Sequence, residues 1–214
     1  MFVIALAKGR LLEPSLALLS QAGITFADNV LTSRKLIFDA KDGRHRIVLV
    51  KPADVATYVE YGAADAGIVG RDVLLESGAD LIQPLALNYG YCRIVVAAPK
   101  GVASLNGSDH PTIRVATKYP HITMEYFNAR GIPVEIIPLA GSIELAPLVG
   151  LADRIVDLVE SGRTLKENGL EVIEVIAESS ARLVINRAGY QVKREEVQAL
   201  IRALSKAVSC ASSK

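Results

Sequence analysis

The sequence has no tryptophan, only 5% aromatic residues, two cysteines and a formal net charge of +1 over 214 residues. Each scarcity excludes a class. A near-neutral chain lacks the basic surface that a polyanion demands, so no nucleic-acid partner is expected. Cys92 and Cys210 lie far apart and show neither metal nor redox spacing, which fits a reduced compartment rather than a disulfide scaffold. No apolar run approaches the length of a membrane span. The opening MFVIALAKGR is apolar only to Ala7 and carries no basic leader, too short for an export signal. The expectation is a soluble, cytoplasmic protein that takes no part in a membrane. With half its residues hydrophobic and so few of them aromatic, the core is Val, Ile, Leu and Ala, which points to α/β layers. The length allows one large domain or two small ones.

What is present concentrates between Leu139 and Leu170. A small-residue turn, Ala140-Gly141-Ser142, leads to Glu144 and a short helical piece. Gly150-Leu151-Ala152-Asp153 follows, then the apolar run Ile155-Val156-Asp157-Leu158-Val159, and Glu160-Ser161-Gly162-Arg163-Thr164 opens a second helical segment. A buried strand running into a Ser/Gly/Thr turn at a helix start aims backbone N–H groups at one spot, suited to an anion. The hydroxyls of Ser161 and Thr164 and the Arg163 guanidinium suit a phosphate further. Asp153 and Asp157 offer carboxylates for sugar hydroxyls or a Mg²⁺ ion. The plain structural alternative is a common Ser-Gly-x-Thr turn, with Asp157 on the polar face of a strand.

Taken in order, Phe2–Ala7 reads as a strand that breaks at Lys8-Gly9-Arg10, basic residues again at a helix start. Either they meet a phosphate or they solubilise a turn. Leu12, Leu16 and Leu19 recur at helical spacing until Gly23. Leu36–Asp39 and Arg46–Val50 flank Asp42-Gly43 as a hairpin. Lys51-Pro52 opens a helix that Gly62 ends. Strands are expected over Arg93–Pro99, Thr112–Thr117, Pro133–Pro138, Glu171–Ala177 and Arg182–Asn186. Helices are expected over Tyr119–Arg130 and Glu195–Val208, and an exposed loop over Lys100–Pro111. Strand alternating with helix argues a mostly parallel sheet.

An internal echo divides the chain. Gly62-Ala63-Ala64-Asp65 and Gly150-Leu151-Ala152-Asp153 each feed an apolar strand, and each strand meets a Gly-Arg pair, Gly70-Arg71 or Gly162-Arg163, at a helix start. This predicts two similar α/β lobes, residues 1–90 with 180–214 and residues 91–179, with crossings near Asn88–Arg93 and Glu178–Arg182. A cleft between such lobes is a common ligand position.

The run GSIELAPLVGLADRIVDLVESGRTLKENGL, with LAKGRL near the start and GAADAGIVGRD after it, closely resembles the ATP phosphoribosyltransferase family of histidine biosynthesis. The resemblance runs from Leu6 to about Asn186, and its one small departure is Ser161-Gly162-Arg163-Thr164 where the family usually has Thr-Gly-x-Thr. It implies a two-lobed fold of the type II periplasmic-binding-protein kind. It also implies Mg²⁺-dependent attack of N1 of ATP on C1 of phosphoribosyl pyrophosphate. Carried over, Ser161, Gly162, Arg163 and Thr164 hold the 5′-phosphate in the second lobe, and Ala152 is a further substrate-binding residue. Glu144, Asp153 and Asp157 serve ribose and Mg²⁺, with Glu144 and Asp153 as the metal ligands. Lys8, Arg10, Lys51 and Arg93 face pyrophosphate or the ATP triphosphate. Asp65 and Asp72 line the first lobe's side, with helix capping the alternative for Asp72.

The chemistry needs no strong base, so His45, His110 and His121 are not expected to be catalytic. The length resembles the family's short form, which works with a regulatory subunit resembling histidyl-tRNA synthetase; a homodimer of this chain is expected beside it. Two rivals remain: a two-lobed binding module for a small anion, and a phosphoribosyltransferase acting on a free base.

Overall fold

A computed structural model describes residues 1–102 and 112–211. The exposed loop expected over Lys100–Pro111, His110 included, lies outside the described residues from position 103 onward. The chain divides into two compact units, Met1–Gly90 with Ser180–Lys214, and Tyr91–Ser179.

Unit 1 starts with β1 (Phe2–Ala7), α1 (Leu12–Gln21), β2 (Ile37–Asp39), β3 (His45–Val50) and α2 (Pro52–Glu60). It continues through β4 (Ala66–Gly70), α3 (Arg71–Ser77) and β5 (Leu81–Ala86). The chain then builds unit 2 from β6 (Cys92–Pro99), β7 (Ile113–Thr117), α4 (Pro120–Asn128), β8 (Val134–Pro138), α5 (Leu145–Leu148), β9 (Arg154–Val159), α6 (Arg163–Glu167) and β10 (Leu170–Ser179). It returns to unit 1 with β11 (Ala181–Asn186), α7 (Arg187–Val192) and α8 (Arg194–Ala211). Pro52 and Pro120 open α2 and α4, where a missing N–H costs nothing.

The sheet of unit 1 runs β2-β3-β1-β4-β11-β5, and that of unit 2 runs β10-β6-β9-β7-β8. In unit 1, β1 pairs in parallel with β3 and β4, and β11 lies antiparallel between β4 and β5. In unit 2, β7 pairs in parallel with β8 and β9, and β6 lies antiparallel between β9 and β10. The order β3-β1-β4-β11-β5 thus repeats as β8-β7-β9-β6-β10. The sheets are mixed rather than mostly parallel because β6 and β11, the strands entered just after each crossing, run against their neighbours, and β2 pairs antiparallel with β3 at the edge of unit 1.

Side chains alternate across each sheet. In unit 1, Ile4, Leu6, Ile47 and Ile68 pack with Leu18 and Leu19 of α1 and with Val197, Leu200 and Leu204 of α8. On the other face Ala5, Ala7, Val69 and Val184 meet Val55 and Val59 of α2 and Leu74 of α3. In unit 2, Val95, Ala97, Ala116, Ile155 and Val159 pack under Ile143, Ala146 and Leu165 around α5 and α6. That last face positions the site.

Candidate anion site on the sheet edge of unit 2

The parallel strands β7, β8 and β9 end on one edge of their sheet, and β6 begins there. The register pairs Arg93 with Val159, Val95 with Asp157 and Thr117 with Val156. Because Val95, Ala116 and Ile155 share the face under α5 and α6, the period of two puts Arg93 and Asp157 on that same face. Glu144 joins them, half-buried at the start of α5. The turn before it holds Ser142 at φ 52°, a left-handed conformation uncommon for a residue with a side chain. Backbone strain of this kind concentrates at ligand sites.

Asp157 is half-buried, and its Oδ1 accepts the Leu158 N–H at 2.8 Å. Burial raises its carboxyl above the ordinary range; the Glu144 charge adds to the rise, while the Leu158 N–H and the Lys118 ammonium oppose it. Two carboxylates and an ammonium therefore feel one another at the strand ends.

The loop Ser161–Thr164 leaves β9 at the same edge. Gly162 sits at φ 76° at the start of α6, a conformation that favours glycine and turns the chain sharply into the helix. The Arg163 N–H approaches Ser161 Oγ at 3.4 Å. The exposed Arg163 side chain pairs with Glu167 at 2.7 Å, an exchangeable surface contact. Thr164 is exposed. α6 is only five residues long, so its dipole is small. The first-turn N–H groups and the hydroxyls are what the loop offers an anion.

Unit 1 has a corresponding edge. The Lys8 N–H donates to the Val50 carbonyl at 2.9 Å, which sets Lys8 beside Lys51 at the ends of β1 and β3. Arg10 follows on the exposed turn. β4 ends there too, with Arg71 and the buried Asp72 opening α3. The Asp72 carboxylate folds back over Gly70: a Cβ at that position would stand 2.1 Å from Oδ1.

Asp65, Asp153 and Ala152 are not brought to these edges, which corrects their assignment. Asp65 and Asp153 precede β4 and β9, at the opposite end of each sheet. Val3 N–H donates to Asp65 Oδ2 at 2.8 Å, and Lys193 Nζ donates to both oxygens at 2.8 and 2.9 Å. Arg114 N–H donates to Asp153 Oδ2 at 2.9 Å, and its Nη2 donates to Oδ1 at 2.9 Å. The Asp65 and Asp153 N–H groups donate in return to the Val3 and Arg114 carbonyls, each at 2.8 Å. Both carboxylates thus clamp neighbouring parallel strands, and Asp153 is removed as a ligand for ribose or metal. Ala152 is a core residue.

The sequence echo marked this clamp rather than chemistry. Carried back one strand, it would have found a residue that was missed: Lys118 follows β7 as Lys8 follows β1. Of the histidines, His45 pairs with Asp42 and His121 pairs with Glu125 one turn along α4. Among the described residues no group of three or more His, Cys, Asp or Glu is arranged for a metal. Glu144 with Asp157 is the remaining donor set, and a Mg²⁺ ion typically takes one or two carboxylates and completes its shell with substrate oxygens and water.

The model of the HisG family, described as ATP phosphoribosyltransferase, matches residues 51–206. The sequence is 51% identical over 205 residues to the ATP phosphoribosyltransferase of Citrifermentans bemidjiense, covering 94% of this chain and 95% of that one. It is 53% identical over 211 residues to that of Acidithiobacillus ferrooxidans, covering 96% and 97%. Among solved structures it is similar to the ATP phosphoribosyl transferase (HisG:HisZ) complex from Thermotoga maritima. There the TM-score is 0.86 at 39% identity, over 98% of this chain and 99% of that one. The periplasmic aliphatic sulphonate binding protein SsuA from Escherichia coli aligns with TM-score 0.61 at 15% identity, over 99% and 70%. This last likeness shows the fold alone: α/β, of the periplasmic-binding-protein kind.

Proposed function

The chain belongs to the ATP phosphoribosyltransferase family, and from that membership we propose that it joins N1 of ATP to C1 of phosphoribosyl pyrophosphate, releasing pyrophosphate in the first step of histidine biosynthesis. The observation that carries the site assignment is the gathering of Arg93, Glu144, Asp157 and the Ser161–Thr164 loop on one sheet edge. In this reading the loop N–H groups and the Ser161 and Thr164 hydroxyls hold the 5′-phosphate, and Asp157 accepts the ribose hydroxyls. Arg93 faces the leaving group, while Lys8, Arg10 and Lys51 of unit 1 face the triphosphate of ATP.

As the C1–O bond breaks, its electron pair leaves on pyrophosphate and positive charge builds on the ribose. Fixed cations stabilise the first and the nearby carboxylate the second. Adenine N1 carries its own lone pair, so positioning rather than proton abstraction is what the side chains supply. Mg²⁺, when bound, screens the pyrophosphate charge; Glu144 and Asp157 are the residues that would hold it. The proposed setting is the cytoplasm, and the proposed assembly is a homodimer of this chain joined by a regulatory subunit resembling histidyl-tRNA synthetase. The similarity to the solved HisG:HisZ complex supports the presence of a second, different subunit.

Titration of phosphoribosyl pyrophosphate into Thr164→Val tests the site. Loss of one hydroxyl contact to a charged group is worth about 1.5–3 kcal/mol, so Kd should rise by about tenfold or more with the fold intact. Unchanged affinity would move the phosphate elsewhere.

A further inference from the structure

The Thr117 side chain holds the end of β7 unusually firmly. Its hydroxyl donates to the Val156 carbonyl on β9 at 2.8 Å and accepts the Tyr119 N–H at 2.8 Å. The Thr123 hydroxyl donates to the Tyr119 carbonyl at 2.6 Å and lies 3.2 Å from the Thr117 hydroxyl. Thr117 and Thr123 are fully buried. Between the buried Thr117 and Tyr119, Lys118 is exposed. Thr117 pairs with Val156, so the next position is level with Asp157. Ala116 and Ile155 share one face, and Asp157 lies on it two residues further along β9, while Lys118 is the first residue past the end of β7. A buried polar lattice that fixes the backbone on both sides of one exposed lysine, at the strand end level with a carboxylate on the next strand, is more than a solubilising turn requires. Its charge also registers on Asp157.

We propose that Lys118 is a further substrate-binding residue, whose ammonium takes the diphosphate oxygens of phosphoribosyl pyrophosphate. This rests on the reading of the unit 2 edge given above. The Ser161–Thr164 loop follows β9 itself and takes the 5′-phosphate, whereas Lys118 leaves the neighbouring strand, roughly 4.8 Å across the sheet. A substrate whose ribose lies at Asp157 has its two charged ends met by different elements. Lysine suits the diphosphate end as a compact point charge.

The test uses Lys118→Ala, Lys118→Arg and Thr164→Val in the full chain, with pyrophosphate and ribose 5-phosphate as separate probes of binding. Lys118→Ala should weaken pyrophosphate binding and raise the KM for phosphoribosyl pyrophosphate about tenfold, the loss of one charge-assisted contact. It should leave ribose 5-phosphate binding and the thermal midpoint unmoved. Lys118→Arg should restore most of the pyrophosphate affinity, and Thr164→Val should show the reverse selectivity. Wild-type pyrophosphate affinity in Lys118→Ala, beside a weakened Thr164→Val, would overturn the Lys118 assignment alone. So would a loss confined to ribose 5-phosphate. A wild-type chain that binds neither probe nor the whole substrate would overturn the site reading and this proposal together.

Discussion

Asp65 and Asp153 stand at equivalent places in the two units, each accepting a backbone N–H from the next parallel strand and a cationic side chain, Lys193 for Asp65 and Arg114 itself for Asp153. Asp65→Ala leaves the Val3 N–H and the Lys193 ammonium without their acceptor, at a cost of about 1–3 kcal/mol. The expected outcome is a lower denaturant midpoint, with KM values for both substrates unchanged in the folded enzyme. A wild-type midpoint with a raised KM would return Asp65 to the site.

Asp42 gives a second residue-scale test. Burial pushes its carboxyl up, but the Arg44 and His45 N–H groups and the His45 ring outweigh this and bring it down to about 2. A carboxyl held below its ordinary value of 3.8 stabilises the fold above that value, and the contribution fades as pH falls from there toward about 2. Acid titration of stability should therefore be flatter in Asp42→Asn over that window. Superimposable acid curves for variant and wild type would contradict the role.

At the scale of elements, α2 lies close against β4 because residue 67 is glycine. A Cβ there would come within 2.8 and 2.9 Å of Val59 and Val55. Gly67→Ala should push the helix off the sheet at about 1–3 kcal/mol, read as a lowered thermal midpoint. The elements legible in the sequence were those whose patterns are local: β1 ends where its apolar run meets Lys8, α2 and α4 start at their prolines, and α8 shows an apolar stripe at Val197, Ile201 and Leu204, of which Val197 and Leu204 are buried and Ile201 is half-buried beside the buried Leu200. β5 was missed because Pro84 sits inside it, which an edge strand beside β11 tolerates. α7 was missed because Arg187–Val192 buries no side chain and so carries no period. Strand direction was illegible for a different reason. β6 and β11 read as ordinary apolar strands, and their reversal is set by the chain's crossings between units. Within the candidate site, the residue types of Ser161–Thr164 marked a turn at a helix start, which is what the structure has there, and only the family resemblance gave that turn a phosphate. The clamping role of Asp153 was not, because its partner Arg114 lies across a strand pairing that no local pattern encodes.

At the scale of the whole molecule, the two units repeat one strand order, yet only unit 2 follows its central strand with the Ser-Gly-Arg-Thr loop, while unit 1 gathers lysine and arginine at the matching edge. That division suits a reaction with two polyanionic substrates that carry their phosphates differently, a triphosphate on one and a 5′-phosphate with a diphosphate on the other. The proposed regulatory subunit adds a test at this scale: adding it should change turnover or sensitivity to histidine. Equal turnover and equal histidine inhibition of the chain with and without the subunit would contradict that dependence.

The most direct test of the central claim is pyrophosphate release by the full chain with its regulatory subunit, given ATP, phosphoribosyl pyrophosphate and Mg²⁺, and repeated with each omitted in turn. The expected result is release that requires ATP and phosphoribosyl pyrophosphate together and yields phosphoribosyl-ATP in equal amount. Binding of the phosphosugar with no release under any combination, or release indifferent to ATP, would contradict it.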